Sequence, residues 1–598
     1  MGWGLYTLAM QKTVARQLKE KYISYLKNLG HVQIPSYPLI PENNPSLLFV
    51  NSGMFPLVPY LLGEPHPAGK RLCNIQKCVR TEDIDSVGNP FYHTFFEMLG
   101  HWSLGDYFKE TAIEICYNFL TKEINLDPQK LAVTIFAGNK NAPFDEVSKQ
   151  AWLKMGIAEK QIYAFDETEN WWLAGNSGPC GPDSEVFVDT GKPTCSPNCS
   201  PSCKCGKYFE VWNNVFMEFN QTKEGKLIPL KQKNVDVGIG VDRTSTMLEG
   251  KDDNYLAEHW TPTRELLEKL TQKEYAQEKN LKPLRILLDH TRSIAFFLAE
   301  EIIPTNVAQG YIVRRVIRRA MRQEMLLGVE GKVINPLVNL WCHQYKAEYP
   351  QLENTALIQN LLEIEQKKFT VALKAGTKYF AKILPRVQKD QILSGRDIFD
   401  LYQSYGFPAE LTQELAKENN LRANLNEYLK LYHAHKISSQ TASQGMFEGG
   451  LAGDSQKETA YHTATHLLHG ALRKVLGDTV GQKGSNITPE RLRFDFSFTR
   501  KLTADEIAEV EKLVNQAIAD ELPVTVITKT LDEARQMGAV AFFAEKYGEQ
   551  VKIYTIHGFS CEVCGGPHVK NTRELGKFEI IKEESAGSGV RRIKAVLS

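Results

Sequence analysis

Short apolar strands and amphipathic helices alternate in the first part of the chain. Segments such as LAVTIFAG, at residues 131–138, are apolar runs of strand length that end in a turn residue. From about residue 251, apolar residues recur at helical spacing over long stretches, as in NTALIQNLLEIEQKKFTVALKAGTKYFAKIL. We therefore predict an α+β domain over residues 1–250 and a helical domain over residues 251–437.

A stretch rich in Ser, Gly and Gln, KISSQTASQGMFEGGLAGDSQ, follows the helical region. This composition is typical of a linker, which we place at residues 438–455. A third domain, again α+β, is predicted over residues 456–598 and opens with the helical pattern YHTATHLLHGALRKVL. No apolar run approaches the roughly 20 residues that cross a bilayer, so we expect a cytoplasmic protein without membrane contact.

Charge and cysteine content narrow the possible partners and compartment. Lys plus Arg and Asp plus Glu both total 71, so any contact with nucleic acid must come from a local basic surface. The eleven cysteines are unevenly placed and odd in number. They favour metal ligands and free thiols in a reducing compartment over a secreted disulfide framework.

Two pairs of metal-ligand residues lie in the third predicted domain. His462 and His466 are four residues apart on one predicted helix face, and Cys564 and His568 bracket a tight turn in SCEVCGGPHV. An isolated His pair at this spacing is more often packing or a solvated face. Together, the two pairs predict one zinc site.

A second cysteine-rich segment, CSPNCSPSCKC, lies in the first predicted domain. It places four thiols at short spacing between Pro and Ser turns: Cys195, Cys199, Cys203 and Cys205. This pattern predicts a closed, structural zinc site. A disulfide-bonded loop is the alternative, which a reducing compartment disfavours.

Candidate nucleotide-binding residues lie at the ends of predicted strands. Arg80 leaves one strand and Phe95 and Phe96 stand on the next, so a guanidinium could bind phosphate while a ring stacks on adenine. Arg243 follows VDVGIG, whose glycines permit close packing before a predicted helix start near Asp242. The alternatives to a nucleotide site are a solvated arginine, phenylalanines that pack in the core and a strand-to-helix turn with a structural role.

Three residues could form a small amino-acid pocket beside these arginines. Asp236 offers a carboxylate to a substrate ammonium, and Trp172 and Asn213 could close the pocket around it. Core packing is the default interpretation of a lone Trp.

The segment YIVRRVIRRAMRQ predicts a helix with a basic side. It carries Arg314, Arg315, Arg318, Arg319 and Arg322 with no acidic residue between them. A solvated charged face is the ordinary interpretation, but phosphates of a nucleic acid are the more fitting partner.

Several of these segments resemble the alanyl-tRNA synthetase family of class II. They include KCVRTEDIDSVGNPFYHTFFEMLGHWSLGDYFK, GPCGPDSEVFVD, EVWNNVFMEFN, VDVGIGVDR and, further on, HTATHLLHGALRKVLG, GQKGSN, RFDFS and CEVCGGPHV. The resemblance covers nearly the whole chain and keeps the family's order. It implies an antiparallel class II sheet, a helical tRNA-recognition domain and an α+β, zinc-containing editing domain.

The resemblance also implies a reaction and residue roles. Alanine is activated with ATP and Mg²⁺ and passed to the tRNA(Ala) terminal adenosine, with Arg80 and Arg243 as catalytic phosphate-binding residues and Asp236 holding the L-alanine ammonium. Because a pocket sized for a methyl group rejects glycine and serine poorly, a hydrolytic domain then removes them from mischarged tRNA. Gln482 matches a residue of that editing pocket.

Recognition of tRNA is implied at two further positions. Asn306 in IPTNVAQGY matches a residue with which the family reads a G·U wobble pair, and Gln403 replaces the usual Asp of the second. Gln keeps a carbonyl acceptor for a guanine amino group. Two more departures are Asp183, where relatives commonly have a small residue, and Pro567, where they commonly have Thr.

The length indicates a shortened form of the family. A β-barrel before the editing domain and a helical, oligomer-forming extension have no room in 598 residues, so we expect a monomer. The alternatives are a hydrolase that only edits and a tRNA- or alanine-sensing protein without turnover. The presence of Arg80, Arg243 and Asp236 argues against both.

Overall fold

The structure, a computed structural model, describes the chain except for a few segments. The described residues are 13–41, 47–175, 177–444, 456–477, 480–498, 500–530, 533–534, 537–539, 550–587 and 590–598. They form two compact units, Met1–Leu393 with Asp400–Arg422 and Ser394–Phe399 with Ala423–Ser598. The predicted boundary at residue 250 falls inside the first unit, and the three-domain division stays a prediction.

A mostly antiparallel sheet dominates the first unit. Its nine described strands are β1 (Val32–Gln33), β2 (Arg71–Val79), β3 (Phe95–Leu104), β4 (Leu131–Phe136), β5 (Ile162–Phe165), β6 (Trp171–Leu173), β7 (Gly178–Asp189), β8 (Tyr208–Gln221) and β9 (Leu227–Gly240). The order is β1-β2-β3-β9-β8-β7-β4-β5, with β6 paired to β7. Only the outer pairs β1–β2 and β4–β5 are parallel among these strands. The antiparallel class II sheet predicted from the resemblance is confirmed in the central strands.

Helices precede, interrupt and follow this sheet. They are α1 (Val14–Asn28), α2 (Val58–Leu61), α3 (Lys109–Asn118), α4 (Glu146–Lys154), α5 (Val241–Leu248), α6 (Thr261–Thr271), α7 (Glu278–Ala299), α8 (Ala308–Leu327), α9 (Ile334–Tyr345) and α10 (Thr355–Asp390). Between residues 392 and 423 the chain forms β10 (Ile392–Leu393), α11 (Gly395–Tyr405), α12 (Ala409–Glu418) and β11 (Arg422–Ala423). The helical pattern predicted after residue 251 is confirmed.

Alternation along the central strands gives the sheet two chemically different faces. Leu99 of β3 and Val235 and Val237 of β9 lie in a core with apolar residues of α1 and α3. Their neighbours Met98 and Asp236 point to the opposite face, because successive side chains of a strand alternate. That second face holds the candidate site.

The second unit is a smaller α+β body. It contains α13 (Leu425–Gln444), α14 (Gln456–Leu476), β12 (Gln482–Thr488), β13 (Arg491–Ser497), α15 (Ala504–Ala519), β14 (Val524–Thr530), β15 (Gln550–Ile556), β16 (Ser560–Val563), β17 (Phe578–Gly587) and β18 (Val590–Leu597). A four-stranded sheet, β12-β13-β18-β17, shares an apolar core with α14 and α15. A three-stranded sheet has the order β14-β15-β16.

The predicted linker is helical in its first part. Helix α13 continues to Gln444, so residues 438–444 are not extended chain, and residues 445–455 lie outside the described residues. Composition alone missed this because Ser and Gln are compatible with helix when no Gly or Pro intervenes. Among the described residues, no helix is both long and apolar enough to cross a lipid bilayer.

Candidate functional site

One cavity on the second face of the large sheet gathers most of the residues predicted to bind ATP and alanine. Its lining includes Arg80, Phe96, Trp172, Asn213, Asp236 and Arg243. These residues come from β3, β6, β8, β9, α5 and the position directly after β2. The structure thus brings the two arginines and the Asp236 carboxylate into one cavity, and their roles stay a prediction.

Arg80 and Phe96 form one wall of the cavity. Arg80 immediately follows β2, and its guanidinium carbon lies 5.1 Å from the centre of the Phe96 ring. The backbone N–H of Arg80 donates to the Thr94 carbonyl at 3.0 Å, which ties the residue to the start of β3. A planar cation over a ring suits a nucleotide, whose phosphate and base need these two groups.

Phe95 is not brought to the cavity. Its side chain is fully buried on the opposite face of β3, where its ring stacks on Phe296 with centroids 3.9 Å apart. The alternation of strand side chains separates it from Phe96. The structure thus places Phe95 in the core behind the cavity. The Phe95 ring does not line the space that a nucleotide would occupy.

Arg243 lies in the first turn of α5, directly after β9. Its guanidinium forms an ion pair with Glu210 across the cavity. The preceding residue, Asp242, is buried and receives hydrogen bonds from Arg292 at 2.8 Å and from His259 at 2.8 Å. Burial opposes ionisation of Asp242, but the Arg292 charge outweighs it and keeps the pKa well below the ordinary value. These contacts of Asp242 hold the turn that carries Arg243 in place.

Asp236 presents a buried carboxylate to the cavity. Trp102 Nε1 donates to its Oδ1 at 2.6 Å, and the residue is only 7% exposed. Burial raises the pKa of Asp236 to about 7, although the Trp102 hydrogen bond acts in the opposite direction. A substrate ammonium beside this group would favour the ionised form.

Asn213 and Trp172 complete the small end of the cavity. Asn213 Nδ2 donates to Asp183 Oδ2 at 3.3 Å and to Glu185 Oε1 at 3.2 Å. Trp172 lies half-buried on β6, with its ring 6.1 Å from that of Phe55. Gly238 opposes Asn213 on β9, and a Cβ there would come within 3.1 Å of Met98 Sδ. Because Gly238 has no side chain, it leaves space in the cavity at this position.

Sequence reasoning missed several polar residues in the cavity wall, among them His93 and Asn254. Asn254 Nδ2 and His93 Nε2 are 2.9 Å apart, and the His93 ring stacks on Trp260. Their separation of 161 positions gave no local signal. Only the position of His93 just before Phe95 and Phe96, in HTFF, could have indicated it.

The four predicted ligands in the second unit converge. The ligand atoms of His462, His466, Cys564 and His568 all lie within 4.8 Å of one another, and His462 Nε2 is 3.4 Å from Cys564 Sγ. Ligands around tetrahedral zinc are separated by roughly 3.3–3.8 Å, given bond lengths of about 2.0–2.3 Å. The donor set and its spacing therefore fit a zinc ion.

The second nitrogen of each histidine has a partner that sets the ring orientation. His466 Nδ1 faces Glu562 at 3.3 Å, His568 Nδ1 lies 3.2 Å from the Thr463 hydroxyl, and His462 Nδ1 lies 3.1 Å from the Pro567 carbonyl. His568 Nε2 is buried and has no hydrogen-bond partner among the described residues. Such outer contacts are typical of metal-bound histidines, whose free nitrogen then points at the ion.

The Cys564 thiol is prepared to act as a ligand. Burial alone would raise its pKa, but contacts with His462, His466 and His568 lower it to about 3, so the group is a thiolate. Gly566 lets the turn approach the helix, because a Cβ there would lie 2.4 Å from His462 Cε1. Gln482 begins β12 of the same unit, where it pairs with Phe496.

The four cysteines of the first unit also lie together. The sulfurs of Cys195, Cys199 and Cys203 lie within 4.8 Å of one another, and Cys199 Sγ is 3.8 Å from Cys205 Sγ. All eleven cysteines of the chain are free, so the disulfide alternative is not what the structure shows. Four thiols at this spacing on the surface fit a structural zinc ion.

Comparison with known proteins decides the family. The family described as "tRNA synthetases class II (A)" matches residues 17–477, and "Threonyl and Alanyl tRNA synthetase second additional domain" matches residues 551–594. An alanine–tRNA ligase of Treponema denticola is 50% identical over 590 residues, which cover 97% of this chain and 98% of the relative. This chain belongs to the alanyl-tRNA synthetase family.

Other relatives show how its length compares within the alanyl-tRNA synthetase family. An alanine–tRNA ligase of Treponema pallidum is 47% identical, with 98% of both chains covered. One from Petrotoga mobilis is 33% identical, and the match covers 98% of this chain but 80% of that relative. Two relatives in the family thus have nearly the same extent as this chain, and a third is longer.

The residues with which this family is expected to read tRNA are exposed. Asn306 lies in the loop before α8 and accepts a hydrogen bond from Arg314, whose guanidinium also donates to the Pro304 carbonyl at 3.3 Å. Gln403 is exposed on α11. Both side chains are therefore available to a nucleic acid.

Helix α8 is less basic at its surface than its sequence indicates. Arg314 and Arg318 share the buried carboxylate of Glu365, and Arg315 pairs with Asp85 at 2.6 Å. The two remaining arginines are buried: Arg319 pairs with Glu414, and Arg322 pairs with Glu414 and Glu418. The acids that pair with these arginines come from α10, α12 and the segment after β2. Arg322 is therefore not placed where tRNA phosphates can reach it.

Proposed function

We propose that this chain is an alanine–tRNA ligase that also proofreads its product. It activates L-alanine with ATP and transfers the alanyl group to tRNA(Ala). The observation that carries the proposal is the convergence of Arg80, Arg243 and Asp236 on one cavity, in a chain of the alanyl-tRNA synthetase family. Two cations and a carboxylate that line one cleft match a triphosphate beside an amino acid.

Catalysis in this cavity is positional and electrostatic. Arg80 and Arg243 hold the phosphates, with the Phe96 ring available to adenine, while Asp236, Asn213 and Trp172 hold alanine so that its carboxylate faces the α-phosphate. The carboxylate oxygens of Glu210 and Asp83, which also line the cavity, are the ligand type that Mg²⁺ prefers. Mg²⁺ would enter with ATP and offset its charge.

The second unit supports hydrolytic editing of tRNA(Ala) mischarged with serine or glycine. His462, His466, Cys564 and His568 would hold zinc, which supplies a fixed positive charge in the pocket. Gln482 is the proposed pocket residue beside it. The exposed Asn306 and Gln403, with Arg314, form the proposed tRNA-reading surface of the first unit. We further propose that the protein is a cytoplasmic monomer. The eleven free cysteines support a reducing compartment such as the cytoplasm.

The test of the ligase activity is alanine-dependent ATP–pyrophosphate exchange. Arg243→Ala should lower kcat/KM by about 10²–10³-fold, because one preorganised charge on the reacting phosphates is lost. Arg16→Ala is the matched control: Arg16 is about as exposed as Arg243 and also pairs with a glutamate, Glu20. Exchange unaffected by Arg243→Ala would refute the assigned role, and deacylation without any exchange would indicate a hydrolase that only edits.

A further inference from the structure

The side-chain amide of Asn213 has one satisfied end and one unsatisfied end. Its Nδ2 donates to both Asp183 and Glu185, at 3.3 and 3.2 Å. Its Oδ1 is buried and has no hydrogen-bond partner among the described residues. A buried acceptor without a donor is unfavourable, and at the wall of a cavity it indicates a donor supplied by a ligand.

Strand register places this acceptor beside Asp236. Asp183, Val215 and Asp236 are cross-strand partners on β7, β8 and β9, and Glu185, Asn213 and Gly238 form the next row on the same face. Residues two apart on one strand share a face, so Asn213 and Asp236 are diagonal neighbours over Gly238. Both line the same cavity.

The Asp183 carboxylate is itself held in place. It is 2% exposed, and Asn170 Nδ2 donates to its Oδ1 at 3.0 Å. Asn170 is fixed in turn, because the same nitrogen lies 2.7 Å from the Thr134 hydroxyl. Burial raises the pKa of Asp183 to about 7, so at pH 8 this carboxylate is ionised and can only accept hydrogen bonds. Turning the Asn213 amide end for end would aim its carbonyl oxygen at this acceptor, so Asp183 favours the orientation in which Nδ2 faces it.

We propose that Asp183 is a positioning residue that orients the Asn213 amide so that Oδ1, together with the Asp236 carboxylate, accepts hydrogen bonds from the substrate ammonium. The reversed amide would present two N–H donors to a cation and repel it. The inference rests on the proposed function, because it requires an amino acid in this cavity. It assigns Asp183 a role in substrate binding that acts only through Asn213.

The test is the variant Asp183→Asn in the full chain, assayed by ATP–pyrophosphate exchange at pH 8. An Asn at 183 can turn its own carbonyl or amide toward Asn213, which leaves Glu185 as the remaining acidic acceptor of Nδ2 and weakens the preference for one orientation. We expect KM for alanine to rise about tenfold, while kcat and KM for ATP change less than about twofold. Asp189→Asn is the control, since Asp189 ends the same strand and pairs with Lys207. An alanine KM unchanged in Asp183→Asn would overturn the inference.

A double-mutant cycle separates positioning from a general structural effect. Asn213→Ala should raise KM for alanine, and adding Asp183→Asn to it should cause no further rise if Asp183 acts through Asn213. Additive increases would refute that route. If Asp183→Asn does not fold, Asp183→Ala enters the same cycle with the same expectations. Absence of exchange in the unmodified chain would instead refute the proposed function, and this inference with it.

Discussion

Asp236 combines a functional position with an environment that disfavours its charge. Burial raises its pKa from 3.8 to about 7. Because the folded pKa lies above the unfolded one, the unfolded chain releases this proton more readily. The group therefore lowers the stability of the fold progressively as pH rises from about 4 to about 7, and the full deficit is present above pH 7. A bound ammonium would offset this deficit, which links stability to substrate binding.

Replacement of this carboxylate should separate stability from activity. Asp236→Asn keeps an acceptor for Trp102 Nε1 but buries no charge, so we expect the free energy of unfolding at pH 8 to rise by about 1–4 kcal/mol. Alanine-dependent exchange should be lost in the same variant. Unfolding at pH 8 and at pH 4 is the measurement, and the gain should shrink toward pH 4, where Asp236 is protonated in the folded state. An equal gain at both pH values would contradict this account.

Single residues also show where sequence reasoning stops. Arg80, Asp236 and Arg243 could be predicted to meet because their motifs resemble those of the alanyl-tRNA synthetase family, and one cavity does contain all three. Phe95 and Phe96 could not be told apart, since two adjacent aromatic residues do not reveal the phase of a strand. The contacts of Asn213 with Asp183 and Glu185 depend on a bulged register between β7 and β8, which no local pattern shows.

At the scale of whole elements, the helix pattern was predictable and its electrostatic surroundings were not. The bounds of α8 and α10 agree with their apolar periodicity. The acids that neutralise α8 lie up to 230 positions away, as Asp85 does from Arg315. Likewise, β3 pairs with β9, which lies more than a hundred residues further along the chain. Long-range pairing is set by tertiary packing, on which a single sequence carries little information.

The fold should therefore be sensitive to substitution of a buried arginine of α8 and tolerate substitution of the exposed Gln403 on α11. Arg322→Met leaves Glu418 without this partner and Glu414 with Arg319, so we expect a loss of about 1–3 kcal/mol of stability. The affinity of the remaining folded protein for tRNA should not change. Gln403→Ala is the counterpart: it should leave the unfolding midpoint unchanged and alter charging of transcripts with G·U relative to G·C in the acceptor stem. A weaker tRNA affinity in folded Arg322→Met would show that this arginine contacts RNA.

At the scale of the molecule, the two kinds of candidate site belong to different compact units. The cavity with Arg80 and Asp236 lies in the first unit, and the cluster around Cys564 lies in the second. Each unit has its own apolar core. A ligand stabilises the cooperative unit that binds it, so ligands of the two sites should act on different unfolding transitions.

Calorimetry of the full chain tests this independence. ATP with alanine, at 100 times the dissociation constant of the bound pair, should stabilise the first unit by about 2.7 kcal/mol. The temperature of the other unfolding transition should not change. Cys564→Ser should lower only the second transition, because a zinc ligand that holds the turn to α14 is weakened, and should reduce the zinc bound per chain. Cys561→Ser is the matched control, since Cys561 lies three residues away and outside the ligand cluster. If both transitions shift together with either change, the chain unfolds as one cooperative body, and binding at one site would then stabilise the other.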